Sequence, residues 1–247
     1  VTPSLLRMLA EYCSEFNDKS DLLMLSSSVN QTVYRVQIQQ QRANIIDVLK
    51  WYPSCQPNLG HLIQLLPAMA HRYFSISNSQ LKNADEIHIA FTVVEYETPP
   101  PHRLHRMGTC TTWLKNLAAK FWREEDDPVY IPFFLKRTPE FALPTNLHAP
   151  MIMIGPGTGV APFRGFLQHR ECLMVNDEMK KQEKHTNWLF FGCRKRDRDF
   201  LYRQDLRNFE IQSPVQLNLI VATSQESSES GLWYGGSYVQ DHLKEYG

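Results

Sequence analysis

The sequence predicts two folding patterns in succession: an antiparallel β-barrel domain with a helical insertion over residues 1–145, then an α/β domain with a parallel sheet over residues 146–247 that is incomplete at its C-terminal end. Three observations lead there. The texture changes near Pro139–Pro150. Before that point several short strand candidates surround one helix; after it, strands and helices alternate.

In the first part a polar, weakly helical opening gives way to Ile45–Trp51 and Leu62–Leu66, whose apolar spacing suits short amphipathic helices. Three strand candidates follow at His71–Ser77, Ile87–Tyr96 and Val129–Leu135, rich in β-branched and aromatic residues. Pro99–Pro101 ends the second, and a helix from Thr112 to about Trp122 precedes the third.

The second part opens on Met151–Ile154, a wholly apolar run expected of a strand buried on both faces. Gly155-Pro156-Gly157-Thr158-Gly159 comes next, then an apolar-periodic helix through Phe163, Phe166 and Leu167 to about Leu173, with Pro162 in its first turn. Trp188–Gly192 and Leu217–Ala222 read as further buried strands, and Asp199–Phe209 as the helix between them. Ser237 and Gln240 form an S-x-x-Q capping box for a last helix. This order predicts a three-stranded parallel sheet with right-handed crossovers. Ser224–Ser230 is a low-complexity patch, read as a loop.

A chain of 247 residues that is 43% hydrophobic can build the cores of two ordinary domains. Lysine plus arginine equal aspartate plus glutamate at 26 each, so charge gives no pointer to nucleic acid or an anionic membrane. The five cysteines are widely spaced with no CxxC pair, which argues against a disulfide framework or a metal site and for reduced thiols in the cytoplasm. The longest apolar runs are too short to span a bilayer and are broken by Gly and Pro, and no signal peptide opens the sequence, so no membrane segment is expected in this stretch.

Four segments carry candidate chemistry. Gly155–Gly159 lies between a buried strand and a helix, where glycines and unpaired N–H groups favour a pyrophosphate; a tight strand-to-helix turn needs glycine for structural reasons as well. Cys193-Arg194-Lys195-Arg196 ends the following strand with basic residues, either a solvated charge run or a phosphate contact, where an NAD-binding unit would place an acid. Arg72-Tyr73-Phe74-Ser75 puts Arg72 and Phe74 on one face of a strand and Tyr73 and Ser75 on the other. Its guanidinium suits a diphosphate and its rings a planar ligand, although such residues are common on ordinary strands. Gly108-Thr109-Cys110-Thr111-Thr112-Trp113 precedes a helix and offers a second anion site, or a plain N-cap by Thr111 or Thr112.

Taken in order, these segments resemble the diflavin reductase family. Arg72–Ser77 looks like its R-x-Y-S flavin strand, Gly108–Trp113 its diphosphate turn, and Gly155–Phe163 its GPGTG-[IV]-APF turn. Leu189–Arg194 with Asp199–Tyr202 continues the match and Tyr238-Val239-Gln240 closes it, so the likeness runs from about Val33 to the end.

The resemblance implies an FAD-binding domain followed by an NAD(P)-binding domain. Together they would pass hydride from NADPH to FAD, and electrons onward to an FMN (flavodoxin-like) domain of the same parent chain and a one-electron acceptor protein. It implies that Arg42 and Arg72 face the FAD phosphates, that Phe74 packs on the flavin beside Tyr73, and that Ser75 lies near flavin N5 as the catalytic position. Gly108, Thr109, Cys110 and Thr111 would hold the FAD diphosphate, and Tyr96 would stack on adenine. Gly157 and Thr158 would meet the nicotinamide nucleotide's diphosphate, with Ser224, Gln225, Ser237, Tyr238 and Gln240 around its adenosine end.

Phe74 in place of the usual tyrosine, with a short stretch from Trp113 to Gly155, makes the branch serving cytosolic iron–sulfur assembly the nearest likeness, with an iron–sulfur protein as acceptor. Branches serving methionine synthase or cytochrome P450, or an inactive nucleotide-binding module, are the alternatives.

Three departures from the family pattern stand out. Ser224-Gln225 and Gly236-Ser237-Tyr238 replace the Ser-Arg and Lys that hold the NADPH 2'-phosphate. Loss of one charge-assisted bond costs about 1.5–3 kcal/mol, roughly ten- to a hundred-fold in affinity, so preference for NADPH depends on compensation by Arg194, Lys195 or Arg196. Glu226–Gly235 reads as an insertion in the same loop. The sequence ends before the family's C-G-D motif and terminal aromatic, and is read as part of a longer reductase.

Overall fold

A computed structural model describes residues 1–123, 128–146, 148–175, 186–226 and 233–246. It divides into two compact units, Val1–Arg72 with Val93–Val129, and Tyr73–Thr92 with Tyr130–Gly247.

The first unit is built on helices that the polar opening conceals. Thr2 caps α1 (Pro3–Ala10), its Oγ1 accepting from Leu5 N at 3.3 Å, and Pro3 stands where its missing N–H is harmless. Leu5, Leu6 and Leu9 share the buried stripe and meet Leu22 and Leu25 of α2 (Phe16–Leu25). After α3 (Gln31–Tyr34), a π-helical turn over Arg35–Gln39 turns Ile38 into the same core. Asn44 and Asp47 form a reciprocal capping box on α4 (Ile45–Trp51), which buries Val48, and α5 (Leu59–Leu65) follows.

β1 (Glu95–Glu97) and β2 (His105–Met107) pair antiparallel, joined across the proline run, and α6 (Thr109–Trp122) leaves the hairpin. The buried Gln41 side chain serves that connection: Nε2 donates to Pro99 O and Pro100 O at 3.0 and 3.1 Å, and Oε1 accepts from Thr98 Oγ1 at 2.9 Å. Polar groups with no ladder partner are thus satisfied by one amide.

In the second unit, β3 (Ile152–Ile154), β4 (Asn187–Cys193), β5 (Leu217–Thr223) and β6 (Trp233–Gly235) lie parallel in that order. α7 (Ala161–Val175) follows β3, α8 (Arg203–Ile211) follows β4, and α9 (Val239–Tyr246) follows β6. One face of the sheet, with Met153, Leu189, Phe191, Leu219 and Val221, joins Val160, Leu167, Leu206 and Phe209 in the main core. The other face, with Phe190, Ile220 and Ala222, packs against Val239.

Several expectations are corrected. The antiparallel barrel is absent among the described residues: the backbones of His71–Ser77 and Ile87–Tyr96 pair at the Ile76–Ile89 bridge and where Ser77 N donates to His88 O without forming a ladder, and Val129–Leu135 joins no ladder. Closure needs unbroken pairing within one sheet. Here the second segment divides between the units at Thr92–Val93, Pro132 removes a donor from the third, and Tyr130, Phe133 and Leu135 stay exposed.

β3 is not buried on both faces. Ile152 is 72% exposed, because α7 packs on the Met153 face and β3 is an edge strand among the described residues. The sheet has four described strands rather than three, since β6 falls inside the stretch read as an insertion; residues 227–232 of that stretch, and most of the Ser224–Ser230 patch, lie outside the described residues. The last helix opens one residue later than expected, with Asp241 Oδ2 accepting from Tyr238 N at 2.8 Å. α8 starts at Arg203 because Asp199 is used instead to close the turn after β4.

Phe191 is fully buried between Phe200 and the sheet. Phe191→Ala is expected to destabilise the chain by about 3–5 kcal/mol, read by urea unfolding, whereas Val29→Ala at an exposed position is expected to stay within about 0.5 kcal/mol of wild type.

Candidate functional site

Within the first unit, Gly108 is tightly packed. Its N–H donates to Val94 O at 2.8 Å, and a Cβ there would lie 2.6 Å from Thr111 Oγ1 and 2.8 Å from Val94 Cβ. Only glycine fits this cradle. Gly108 is also the N-cap of α6 and no side chain caps the helix; Thr111 Oγ1 instead accepts from Val94 N at 3.1 Å. The first-turn N–H groups of Thr109, Cys110 and Thr111 precede the helix's own ladder, an arrangement that suits a diphosphate. Thr112 Oγ1 is buried with no hydrogen-bond partner.

Tyr96 is exposed on β1 opposite Arg106. Arg106 ties this hairpin to the helices: Nε and Nη2 donate to Gln41 O, and Nη2 also meets Asp47 Oδ2 at 2.8 Å. Burial raises the Asp47 carboxyl, but the Arg106 and Asn44 hydrogen bonds outweigh it and hold it below the usual carboxylate range. Arg42 follows Gln41 with φ +49°, exposed at a cleft of about 770 Å³ that Arg35 also lines. Sequence reasoning missed Arg35, whose position depends on the π-helical turn. Arg72 folds back on its own backbone, Nη1 donating to Ala70 O at 2.6 Å.

The second unit holds the other candidates. Tyr73 is exposed, edge-on to Phe134 with Lys136 Nζ 4.7 Å from its ring centroid; Phe74 is half-buried against Phe91, and Ser75 is exposed. The GPGTG turn links β3 to α7 through one 3-10 turn, Gly157–Val160. A Cβ on Gly155 would come within 2.8 Å of Gly159 O, and Gly157 has φ +56° with nothing within 4 Å of where its Cβ would be. The first glycine is demanded by packing, whereas the second leaves open backbone beside Thr158. Gly192 of β4 lies beneath, where a Cβ would meet Val239 at 2.8 Å and Pro156 at 3.3 Å.

The remaining candidates gather at the same C-terminal edge. Ser224 N donates to Cys193 O and Gln225 N to Arg194 O, both at 3.1 Å, and Gly236 N donates to Thr223 O at 2.7 Å. Ser237 Oγ pairs with His242 Nε2 at 2.8 Å, and Tyr238 and Gln240 are exposed. Asp199 shapes the basic run by accepting from the N–H groups of Arg194 and Lys195 and from Arg194 Nε. Glu226 accepts from Arg196 N and Nε at 2.8 and 2.7 Å.

Burial raises the Asp199 carboxyl, yet the Lys195 and Arg194 hydrogen bonds bring it below its ordinary value; the Arg196 hydrogen bonds do the same for Glu226. Burial and the nearby Asp199 push the Cys193 thiol up to about 12. No group of His, Cys, Asp or Glu among the described residues could hold a metal ion, and no helix among them is long and apolar enough to cross a membrane.

The Gly108 cradle and the Gly155–Thr158 turn each leave backbone open at the start of a helix, and each part of the chain also matches a known family. Residues 1–113 match the FAD binding domain and residues 153–247 the oxidoreductase NAD-binding domain. The chain is 37% identical to methionine synthase reductase of Mus musculus over 257 residues, covering 98% of this chain and 36% of that protein. It is 38% identical to NADPH–cytochrome P450 reductase of Drosophila melanogaster, covering 98% of this chain and 33% of that one. It is 36% identical to nitric oxide synthase of Bombyx mori, covering 91% and 18%. The chain thus spans about a third of the length of the two reductases.

Its class is that of the flavin-dependent oxidoreductases that bind FAD and NAD(P)H in consecutive domains. Within that class it belongs to the diflavin reductases, as their FAD- and NAD-binding region.

Unfolded carboxylates titrate near about 4, and Asp199 and Glu226 titrate lower when folded. Their pairs therefore contribute full stability above about pH 4, and lose it as pH falls through the folded values. Asp199→Asn is expected to lower the melting temperature at pH 7, with the gap to wild type shrinking as pH falls below about 4. Thermal melts across that range check it.

Proposed function

We propose that the full-length protein oxidises NADPH through this region and delivers electrons singly, by way of an FMN domain of the same parent chain, to an acceptor protein. The carrying observation is the gathering of the glycine turn, the Arg194–Arg196 run, Ser224, Gln225 and Ser237 at one edge of a parallel sheet. That edge belongs to the same compact unit as Phe74 and Ser75. The chemistry FAD supplies when bound is acceptance of a hydride from the nicotinamide and release of electrons one at a time.

The chain's own residues bind and orient. Thr109, Cys110 and Thr111 offer backbone N–H groups to the FAD diphosphate and Gly108 keeps the turn close and bare, with Arg42 and Arg72 as the cations and Tyr96 as the adenine platform. Phe74, beside Tyr73, lies against the flavin ring, and the Ser75 hydroxyl donates at the N5 region. Gly157 and Thr158 receive the nucleotide diphosphate, and Tyr238 and Gln240 its adenosine end. For two domains of residues 1–145 and 146–247, the support is that one family match ends at residue 113 and the other begins at residue 153.

Arg194 takes the NADPH 2'-phosphate in place of the missing arginine at position 225. Gln225 N bonds to Arg194 O, and Arg194 pairs with Asp199 through Nε at 3.1 Å while its side chain stays 69% exposed; the Arg196 side chain is 32% exposed, and Arg196 is bonded to Glu226 through both N and Nε.

For the acceptor, the identity to methionine synthase reductase over 98% of the chain supports a methionine synthase. Phe74 supports a second reading, an iron–sulfur protein. Five free thiols among the described residues suit a reducing compartment such as the cytoplasm.

Full-length protein is expected to carry flavin absorption and to reduce ferricyanide with NADPH. Arg194→Ala is expected to weaken NADPH about tenfold and leave NADH unchanged in parallel titrations. Equal loss for both nucleotides would remove Arg194 from this role, and bound FAD without NAD(P)H oxidation would leave only a binding module. The faster of the two acceptor classes in reduction assays identifies the partner.

A further inference from the structure

A short polar segment of the second unit is buried more deeply than its composition requires. Ser77, Asn78 and Ser79 are 0%, 6% and 4% exposed, while Tyr73, Ser75 and Ile76 just before them are exposed. Burying three polar residues costs free energy unless each group is paired. The neighbouring segment supplies part of the pairing, since Ser77 N donates to His88 O, Asn78 Nδ2 donates to Glu86 O and Asn78 Oδ1 accepts from His88 N; one helix supplies a second part. Arg164 Nη1 donates to Ser77 O at 2.8 Å, Gln168 Oε1 accepts from Ser79 N at 3.1 Å, and His169 Nδ1 pairs with Ser79 Oγ at 3.0 Å. These residues and Gly165 fall at i, i+1, i+4 and i+5, a single stripe of α7. Gly165 lets the backbones touch: a Cβ there would lie 3.3 Å from Asn78 O and 3.5 Å from Ile76 O.

A second element completes the grip. Tyr202 OH donates to Ser77 Oγ at 2.8 Å, and the Arg164 guanidinium lies 4.6 Å from the Tyr202 ring centroid while Nε meets Asp205 Oδ2 at 2.5 Å. Tyr202 is held at φ +55°, a left-handed conformation that a non-glycine residue keeps only when its surroundings enforce it.

We propose that Arg164, Gly165 and Tyr202 are positioning residues for hydride transfer: they clamp the segment bearing Phe74 and Ser75 to α7, the helix that begins directly after the Gly157–Val160 turn. The proposal rests on the reading of Phe74 and Ser75 as flavin contacts and of Thr158 as a nucleotide contact. One rigid helix then carries the nucleotide turn at its first residues and the anchor of the flavin segment one turn later. Hydride transfer is sensitive to displacements of about 1 Å, so a slack anchor slows the reaction without weakening either ligand.

The test uses full-length protein with Tyr202→Phe, which keeps the ring beneath Arg164 and removes only the O–H. Gly165→Ala is a second variant that presses on Asn78 without altering a charge. Flavin content, NADPH affinity, the stopped-flow rate of flavin reduction, its isotope effect with 4-deuterated NADPH, and amide hydrogen exchange of residues 73–79 are measured together. Expected are flavin content and affinity within about twofold of wild type, a reduction rate lower by on the order of tenfold, a larger isotope effect, and faster exchange in 73–79. Unchanged exchange in both variants overturns the clamp whether or not the protein binds flavin. Faster exchange with a wild-type rate and isotope effect overturns the positioning role, as does a rate that falls only in proportion to lost FAD. A wild-type protein with no flavin reduction by NADPH sinks the functional reading instead, a result separate from the exchange data.

Discussion

The parallel register that sets Leu189 between Met153 and Leu219 obliges β3, β4 and β5 to end on the same edge of the sheet. The two edges are then finished in opposite ways. At the N-terminal edge the buried Asn187 accepts from Met151 N and Arg170 Nη1 and donates to Val215 O, so the strand starts are locked by one amide and one guanidinium. At the C-terminal edge, Gly155, Gly157 and Gly192 keep the backbone close and bare, and Arg194 stays in solvent. Open backbone and the exposed Arg194 side chain, paired with Asp199, therefore lie together where the strands finish, the place that parallel sheets reserve for ligands. Apolar burial maintains this polarity, with Leu189, Phe191, Leu219 and Val221 each contributing about 1.5–3 kcal/mol.

The helical unit answers to a comparable logic with different parts. Its core is a set of leucine stripes, and the hairpin β1–β2 is joined to that core by polar side chains, Gln41 reaching the proline carbonyls and Arg106 reaching Gln41 O and Asp47. Those bonds hold Tyr96 and the Gly108 turn relative to Arg42 within one unit. The start of α6 is left uncapped by any side chain, consistent with a helix end whose donors serve a diphosphate.

What could be read from the sequence was local. The Gly155–Gly159 turn, the apolar strands β4 and β5 and the helix α4 are each specified within about ten consecutive residues, and each stands close to where the pattern put it. The barrel could not be read in the same way, because alternation in Ile87–Tyr96 or Val129–Leu135 proposes a strand but does not choose its partner. The opening helices were hidden by their polar faces, since Leu5, Leu6 and Leu9 are buried by a second helix that the pattern alone does not supply. The roles of Asp199, Glu226 and Tyr202 were not legible for the same reason: they arise from contacts to Lys195, Arg196 and Ser77, the last across 125 residues.

The most direct test of this account is amide hydrogen exchange on full-length protein with and without NADPH. Slowed exchange at residues 155–160, 194–196, 224–225 and 236–240, with residues 149–151 and 213–217 unaffected, is the result that the asymmetry of the sheet predicts. Protection appearing instead around Met151, Asn187 and Val215 would place the nucleotide at the locked edge and contradict it.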